Sequence, residues 1–471
     1  MLFRSIGDIV IAMSSGSKRL VGKSARAKTN FIGSFGAFCG VFRPDMAMNS
    51  RYTAFFFESP EYRNTISEAS SGSNINNLRR EHILEMPFPL PPLEEQRRIV
   101  AKLESLFSKL EVGVLALQRA RGLLKRYRQS LLRDAVEGKL SAEWRAKQTN
   151  LEPASALLER VLRERRAAWE ARELARLRAK GTEPLGDAWK ARYEEPSAVE
   201  VSSLPELPEG WGVIGLEQAT TVITSGSRDW TKFYGRGTGT FLMAQNVRPG
   251  RLDLTFQQRV DPPLQNRDRL RSQVECHDLL VTIVGANTGD VCRVTEELAE
   301  TFVCQSVALM RPVLTAMSAF MEMYLLSFDN GQRQFREYIY GAGRPHLSFD
   351  QLKSVAIHLP PLEEQLFIVA ELERRFELLD SLESTLESEL KRAAQLRQSA
   401  LHRAFTGQLV PQDERDEHAS VLLERIRAAR AAAPAKRGRN AVQTQPLPDP
   451  SSPAKPARGR PRKAKKQEEL F

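Results

Sequence analysis

The 471 residues are 41% hydrophobic and carry a formal net charge of +11 at pH 7, a length that holds two or three domains with cores of their own. The apolar start MLFRSIGDIVIAM is interrupted by Asp8 and is too short to span a membrane; Cys39, Cys276, Cys292 and Cys304 are dispersed without a CxxC pair, so the sequence offers no zinc site or disulfide framework and fits a reducing cytoplasm. Residues 432–471 hold 10 Lys/Arg against 3 Asp/Glu, a net +7, which leaves +4 (11 − 7) for the rest, so a folded nucleic-acid surface would depend on local arrangement rather than bulk charge.

Residues 1–88 alternate short apolar runs with Ser/Gly/Asn-rich turns, which predicts a small mixed α/β, β-rich unit. SKRLVGKS at 17–24 ends like a phosphate-binding loop but has Ser17 where the leading glycine is required. Nucleotide hydrolysis is rejected on that ground, and Ser17, Lys18 and Arg19 are kept as candidate contacts to DNA. The turn SSGSNINN at 70–77 presents Asn74, Asn76 and Asn77.

At 89–110 the chain reads PLPPLEEQRRIVAKLESLFSKL, and at 358–379 it reads HLPPLEEQLFIVAELERRFELL, an offset of 269 residues that also relates Gly138 to Gly407 and Leu140 to Leu409. Two copies are too few for a solenoid and indicate one structural unit built twice about a pseudo-two-fold. Each Pro-Pro ends an extended segment and lets a helix begin behind it, with two glutamates in the first turn. Leu103, Leu110, Leu117, Leu124 and Leu131 recur every seven residues, a coiled-coil seam in a helix over 93–134. In the second copy Leu372, Leu379 and Leu386 are followed by Ala393 and Ala400, and antiparallel pairing would set these alanines against Leu110 and Leu103. Gly138 and Gly407 are expected to stop the two helices.

Between the copies, 141–206 reads as a charged helix and linker, with Leu157, Leu158 and Val161 forming a stripe that could dock on a partner. Residues 207–357 form a second β-rich unit with some helix near 317–339; thirteen of its fifteen Lys/Arg are arginine, the side chain that pairs bidentately with guanine edges and phosphates. Ser225, Arg228, Lys232, Asn246, Arg248, Asn287 and Thr288 lie in or beside its loops and are candidate contacts to DNA. Arg344 and His346 lie in YGAGRPHL at 340–347, which the offset aligns with the 70–77 turn. A second helical region spans 358–410, a short helix 411–431, and a disordered basic tail 432–471. Within the tail, RGRPRK resembles the core of an AT-hook, whose Arg458 and Arg460 would lie in the minor groove, and the terminal QEELF resembles peptides that bind the replication sliding clamp.

The doubled LPPLEEQ…helix…GKL/GQL pattern, with a less regular segment before each copy, resembles the specificity subunit of type I restriction–modification systems over roughly residues 1–430. The resemblance implies an α+β chain with two target-recognition domains, 1–88 and 207–357, that read double-stranded DNA. Two antiparallel helical regions, 89–140 and 358–410, would act as a ruler between the halves of a bipartite target. It further implies partner methyltransferase subunits, two in number, and endonuclease subunits, with no membrane association. By the same resemblance no catalytic residue, metal or cofactor would belong to this chain, and S-adenosylmethionine, ATP and Mg would serve the partners.

The residues themselves leave alternatives: a coiled-coil scaffold, or a DNA-binding protein without a restriction role. A methyltransferase would need an Asn-Pro-Pro-aromatic motif, which is missing; a nuclease reading of Asp134 and Glu137 fails because their counterparts are Arg403 and Thr406. Asp8 aligns with Asp278, yet 67 residues separate Trp211 from Asp278 (278 − 211) and only 7 separate Met1 from Asp8 (8 − 1). The expectation is a first recognition unit lacking the counterpart of WGVIGLEQATTVITSGSRDW and of the residues after it, through a misplaced start or a truncation, with a lost or degenerate first half-site.

Overall fold

The computed structural model describes residues 3–17, 19–33, 35–69, 76–184, 186–199, 206–226, 229–262 and 267–432. The chain divides into two compact units, Met1–Glu104 with Ala400–Phe471, and Ser105–Ser399. In the first unit the alternation Ile9-Val10-Ile11 buries both isoleucines at 1% exposure, as a strand half-covered on one face requires. Its strand Ile9–Ala12 lies between Ser24–Arg26 and Cys39–Phe42, both antiparallel to it. Asp8, just before the central strand, is buried. Its two carboxylate oxygens accept from Arg43 Nε and Nη2, each at 2.7 Å, and Oδ2 also accepts from the Ser5 amide at 3.2 Å.

The second unit repeats this arrangement and adds to it. The strand Leu279–Thr282 lies between Val291–Arg293 and Val307–Pro312, and Val307–Pro312 pairs on its far side with Thr220–Ser225. Register is the same in both units: Ile9 faces Arg26 and Phe42, and Leu279 faces Arg293 and Met310. Buried Asp278 accepts from Arg311 Nε and Nη2, each at 2.8 Å, and from the Glu275 amide at 2.8 Å. A three-stranded sheet of Gln258–Val260, Tyr234–Leu242 and Thr301–Val303 closes a separate core around Trp230, Phe241 and Phe302. The helix expected near 317–339 forms as two, Ser318–Leu326 and Gly331–Tyr338.

The duplicated stretches form helices of equal length, Leu93–Val136 and Leu362–Phe405, 44 residues each, roughly 66 Å long at about 1.5 Å per residue. Gln96 and Gln365 are fully buried, and each Nε2 donates to the first carbonyl of its own Pro-Pro, Pro91 or Pro360, at 2.9 Å. That bond ties the helix start to the extended segment before it. Both helices stop at the expected glycines, with φ of 73° at Gly138 and 74° at Gly407. The amides one residue further on, Lys139 and Gln408, donate back to Asp134 and Arg403 at 2.8 Å, a left-handed C-terminal closure that glycine permits without strain. Within the second unit the helices run antiparallel: Arg121 reaches Glu387, Arg128 reaches Asp380, and the Arg397 guanidinium lies 3.9 Å from the Phe107 ring centroid.

Two expectations need correction. The seam is not evenly buried. Leu103, Leu131, Leu372 and Leu379 are buried, whereas Leu110, Leu117, Leu124 and Leu386 are half-buried, because two bare helices cover only one side of each leucine, while Leu131, Leu372 and Leu379 also join the second unit's core. The stripe on the helix Ala154–Ala179 does not await a partner: Leu157 and Val161 are fully buried in the second unit's own core, with Leu158 packed against it. In the first unit, the matching Leu422 and Ile426 on Ala419–Ala432 are buried likewise. Residues 433–471, including the RGRPRK and QEELF motifs, lie outside the described residues.

This uneven burial sets the cost of truncating the seam. Leu372→Ala is expected to lower stability by about 2–5 kcal/mol, and half-buried Leu117→Ala by about 1 kcal/mol. Melting of the two purified variants checks the difference, and equal losses would contradict it.

Candidate nucleic-acid interface

In both units the loop after the central strand and the loop before the long helix's entry segment, separated by more than fifty residues, are brought together by the fold. In the first unit Ser14 and Ser15 pair with Asn77 and Asn76, and Ser14 Oγ donates to Asn77 Oδ1. In the second unit the pairing recurs as a bridge between Val284 and His346, with the Gly285 amide donating to the Pro345 carbonyl at 3.1 Å. Since Asp8 corresponds to Asp278 and Gln96 to Gln365, Ser14/Asn77 and Val284/His346 are the same junction.

Around the second junction an open cavity of 730 Å³ gathers Ser225, Arg344 and His346 with Arg271, Gln305 and Ser306. Arg344 is exposed on its loop and His346 is held with its ring Nδ1 3.1 Å from the Ile283 carbonyl oxygen. Gln305 Oε1 is buried without a hydrogen-bond partner among the described residues. Two guanidiniums, an imidazole, hydroxyls and an amide around one open concavity suit phosphates and base edges, which offer acceptors in excess. Nearby, burial pushes the Asp290 carboxyl above its ordinary value, with Arg248 working against the rise.

The other loop residues divide by what the fold does with them. Ser17 and Arg19 are exposed in the first unit's turn, and the Arg19 carbonyl accepts from Arg63. Lys232 is exposed, its Nζ 5.1 Å from the Phe233 ring centroid, and Arg248 sits half-buried in the hairpin of Val247–Arg248 with Arg251–Leu252. Asn287 is half-buried. Thr288 Oγ1 donates to Gly285 at 2.7 Å and lies 3.1 Å from the Pro345 carbonyl, so it braces the junction. Asn246 is buried and fully committed: Nδ2 donates to the Asp253 and Phe256 carbonyls and Oδ1 accepts the Met243 amide. Its loop, not DNA, claims that amide. Lys18, Asn74, Arg228, Arg458 and Arg460 lie outside the described residues, and of Asn76 only the backbone is described. Sequence reasoning misses Arg271, Gln305 and Ser306; the run RDRLRS at 267–272 is the available signal for Arg271.

No cluster of His, Cys, Asp or Glu able to hold a metal occurs among the described residues. Burial pushes the Cys292 thiol up to about 12, which leaves it inert at neutral pH. Residues 3–116 and 278–392 each match the type I restriction modification DNA specificity domain. The chain is 31% identical over 446 residues to the type I restriction enzyme EcoKI specificity subunit of Escherichia coli (strain K12), covering 91% of this chain and 82% of that protein. It belongs to the type I restriction–modification specificity subunits. The StySPI specificity subunit of Salmonella potsdam is 30% identical over 443 residues, covering 91% of this chain and 82% of that one. A solved structure described as the structural basis underlying complex assembly and conformational transition of the type I R-M system shares the fold, with a TM-score of 0.56, 18% identity and coverage of 86% of this chain and 83% of that chain. Specificity subunits are non-catalytic DNA-recognition subunits.

The cavity makes a division among side chains that binding can read. Arg344→Ala or Arg271→Ala is expected to weaken retention of duplex DNA by roughly 10- to 100-fold, one charge-assisted or bidentate contact's worth, with the melting temperature unchanged. Asn246→Ala is expected to lower the melting temperature, since it strands two carbonyls and an amide. Fluorescence anisotropy on labelled duplex, paired with melting, checks both.

Proposed function

We propose that this chain reads a split DNA target, one half through each unit, and directs adenine methylation and DNA cleavage by partner subunits. The observation that carries this reading is the junction of two polar loops built twice at one register, Ser14/Asn77 and Val284/His346. A protein that needed only one contact surface would have no use for the second. The recognition domains correspond to 1–88 and 207–357, and the helical regions 89–140 and 358–410 set the number of unread base pairs between the halves. Partner methyltransferase subunits, two per chain, dock along those helices, where Leu115, Leu123, Leu378 and Leu382 are exposed. They use S-adenosylmethionine on an adenine flipped out of the duplex, and endonuclease subunits use ATP and Mg. No helix among the described residues is long and apolar enough to cross a membrane. The basic tail supplies sequence-independent phosphate affinity.

The test exchanges residues 207–357 for the matching segment of a relative with a different target and maps adenine methylation in the host genome by single-molecule sequencing. One half of the methylated motif should change while the other half and the spacing persist. A motif altered in both halves, or unaltered, would contradict the proposal.

A further inference from the structure

The turn that leads into Cys39–Phe42 in the first unit and into Val307–Pro312 in the second closes in the same way. In the first, the Met13 amide donates to the Phe38 carbonyl at 2.7 Å and the Cys39 amide to the Gly36 carbonyl at 3.0 Å. In the second, the Ile283 amide donates to the Ser306 carbonyl at 2.9 Å and the Val307 amide to the Cys304 carbonyl at 3.2 Å. Since Ile9 corresponds to Leu279 and Phe42 to Met310, these are the same two bonds, and the residue inside the turn is Ala37 in one unit and Gln305 in the other. Ala37 is exposed, so a methyl group is enough for this backbone. The frame does not require the amide of Gln305.

That amide is nevertheless held in a rigid place. The end of the strand Thr220–Ser225 presses against the turn: the Gly226 amide donates to the Cys304 carbonyl at 3.2 Å, and a Cβ at Gly226 would collide with the Val303 carbonyl oxygen. On the other side the Ser306 amide donates to Cys304 Sγ at 3.3 Å. Gln305 lines the 730 Å³ cavity with Ser225, Arg271, Arg344 and His346, and its Oε1 is buried without a hydrogen-bond partner among the described residues. The two guanidiniums carry only donors and suit phosphates or guanine, and His346 Nδ1 is committed to the Ile283 carbonyl. Oε1 asks for the opposite, a donor. The DNA backbone has none, because phosphate and deoxyribose oxygens only accept; on a duplex the donors facing the grooves are base amino groups.

We infer that Gln305 is a base-reading residue of the second unit and that the base it reads is adenine. Oε1 accepts from the adenine N6 amino group while Nε2, on the same amide carbon, donates to N7; cytosine offers only its amino group on that edge. Burial makes the contact selective, since a base without an amino group there leaves Oε1 desolvated and unpaired. The inference rests on the split-target reading and deepens it by naming a base. The adenine to be methylated leaves the stack, so Gln305 reads a different one, and the second unit's half-site holds at least one A·T pair besides the methylated pair.

Single-molecule sequencing of host DNA gives the motif methylated by the complex of the unaltered chain, and the half that changes on exchange of residues 207–357 is the one to probe. Fluorescence anisotropy with that complex then takes duplexes in which each adenine of this half is replaced in turn by purine, which lacks the amino group, or by 7-deazaadenine, which lacks N7. At one adenine each replacement is expected to weaken binding by roughly tenfold or more. Gln305→Ala should weaken binding to the unmodified duplex to a similar extent, become indifferent to both replacements at that adenine, and melt as the unaltered chain does. Gln305→Glu, which keeps the acceptor and loses the donor, should stay sensitive to purine and become indifferent to 7-deazaadenine. A half-site with no second A·T pair, a Gln305→Ala complex that responds to the replacements as the unaltered one does, or a lowered melting temperature in place of a position-specific change overturns the inference and leaves the split-target reading standing. An undivided motif from the unaltered chain refutes that reading and the inference with it.

Discussion

A buried carboxylate held by one guanidinium fixes the frame from which the rest of each unit is measured. Asp8 with Arg43, and Asp278 with Arg311, clamp the residue before the central strand to a residue at the end of its neighbour. Slipping that pair by one residue would turn every core side chain to the wrong face and leave a desolvated carboxylate without its partner. The carboxylate bonds raise the Arg43 guanidinium pKa; for Arg311, burial works against the charge and the pairing with Asp278 and Glu275 outweighs it. From this frame the strand ends, and hence the polar loops after them, come out at the same place in both units.

The second constraint is how each long helix is attached. A helix of 44 residues cannot be positioned by its middle, where the leucines of the seam are half-buried; its start is fixed by the buried glutamine bonded to the Pro-Pro segment and its end by the left-handed glycine. In the second unit Glu364 adds a further tie, drawing Ser141, Arg145 and Trp211 together at the helix entry. His358 next to that entry is buried with Nδ1 2.6 Å from the Val136 carbonyl, and burial lowers its pKa. The middle of the helices, with Leu110, Leu117, Leu124 and Leu386 only half-buried, contributes less to this chain's own stability than the two ends do.

The features legible in the sequence were those set by local chemistry. Heptad spacing gave the two long helices, proline and glycine gave their ends, and the 269-residue offset gave the duplication. What depended on distant partners was not legible. Asp8 and Arg43 are 35 residues apart with no periodic signal between them. Leu157 and Val161 have the spacing of a docking stripe, and the sheet that covers them lies over fifty residues further along the chain. Asn246 looked like a base reader, yet the carbonyls of Asp253 and Phe256 claim its amide. Arg271 joins the cavity only because its short helix is folded beside Ser225 and Arg344.

The central claim is that the twice-built loop junction faces bases. The direct measurement is photo-crosslinking from a reactive amino acid placed at position 344 or, separately, at position 232, in the complex with its methyltransferase partners on a target duplex. Crosslinks from 344 should fall on bases of one half of the methylated motif and vanish when that half is scrambled, while 232 should give weaker crosslinks that do not depend on sequence. Crosslinks from 344 that fall anywhere along the duplex, at a yield indifferent to the target, would contradict the account.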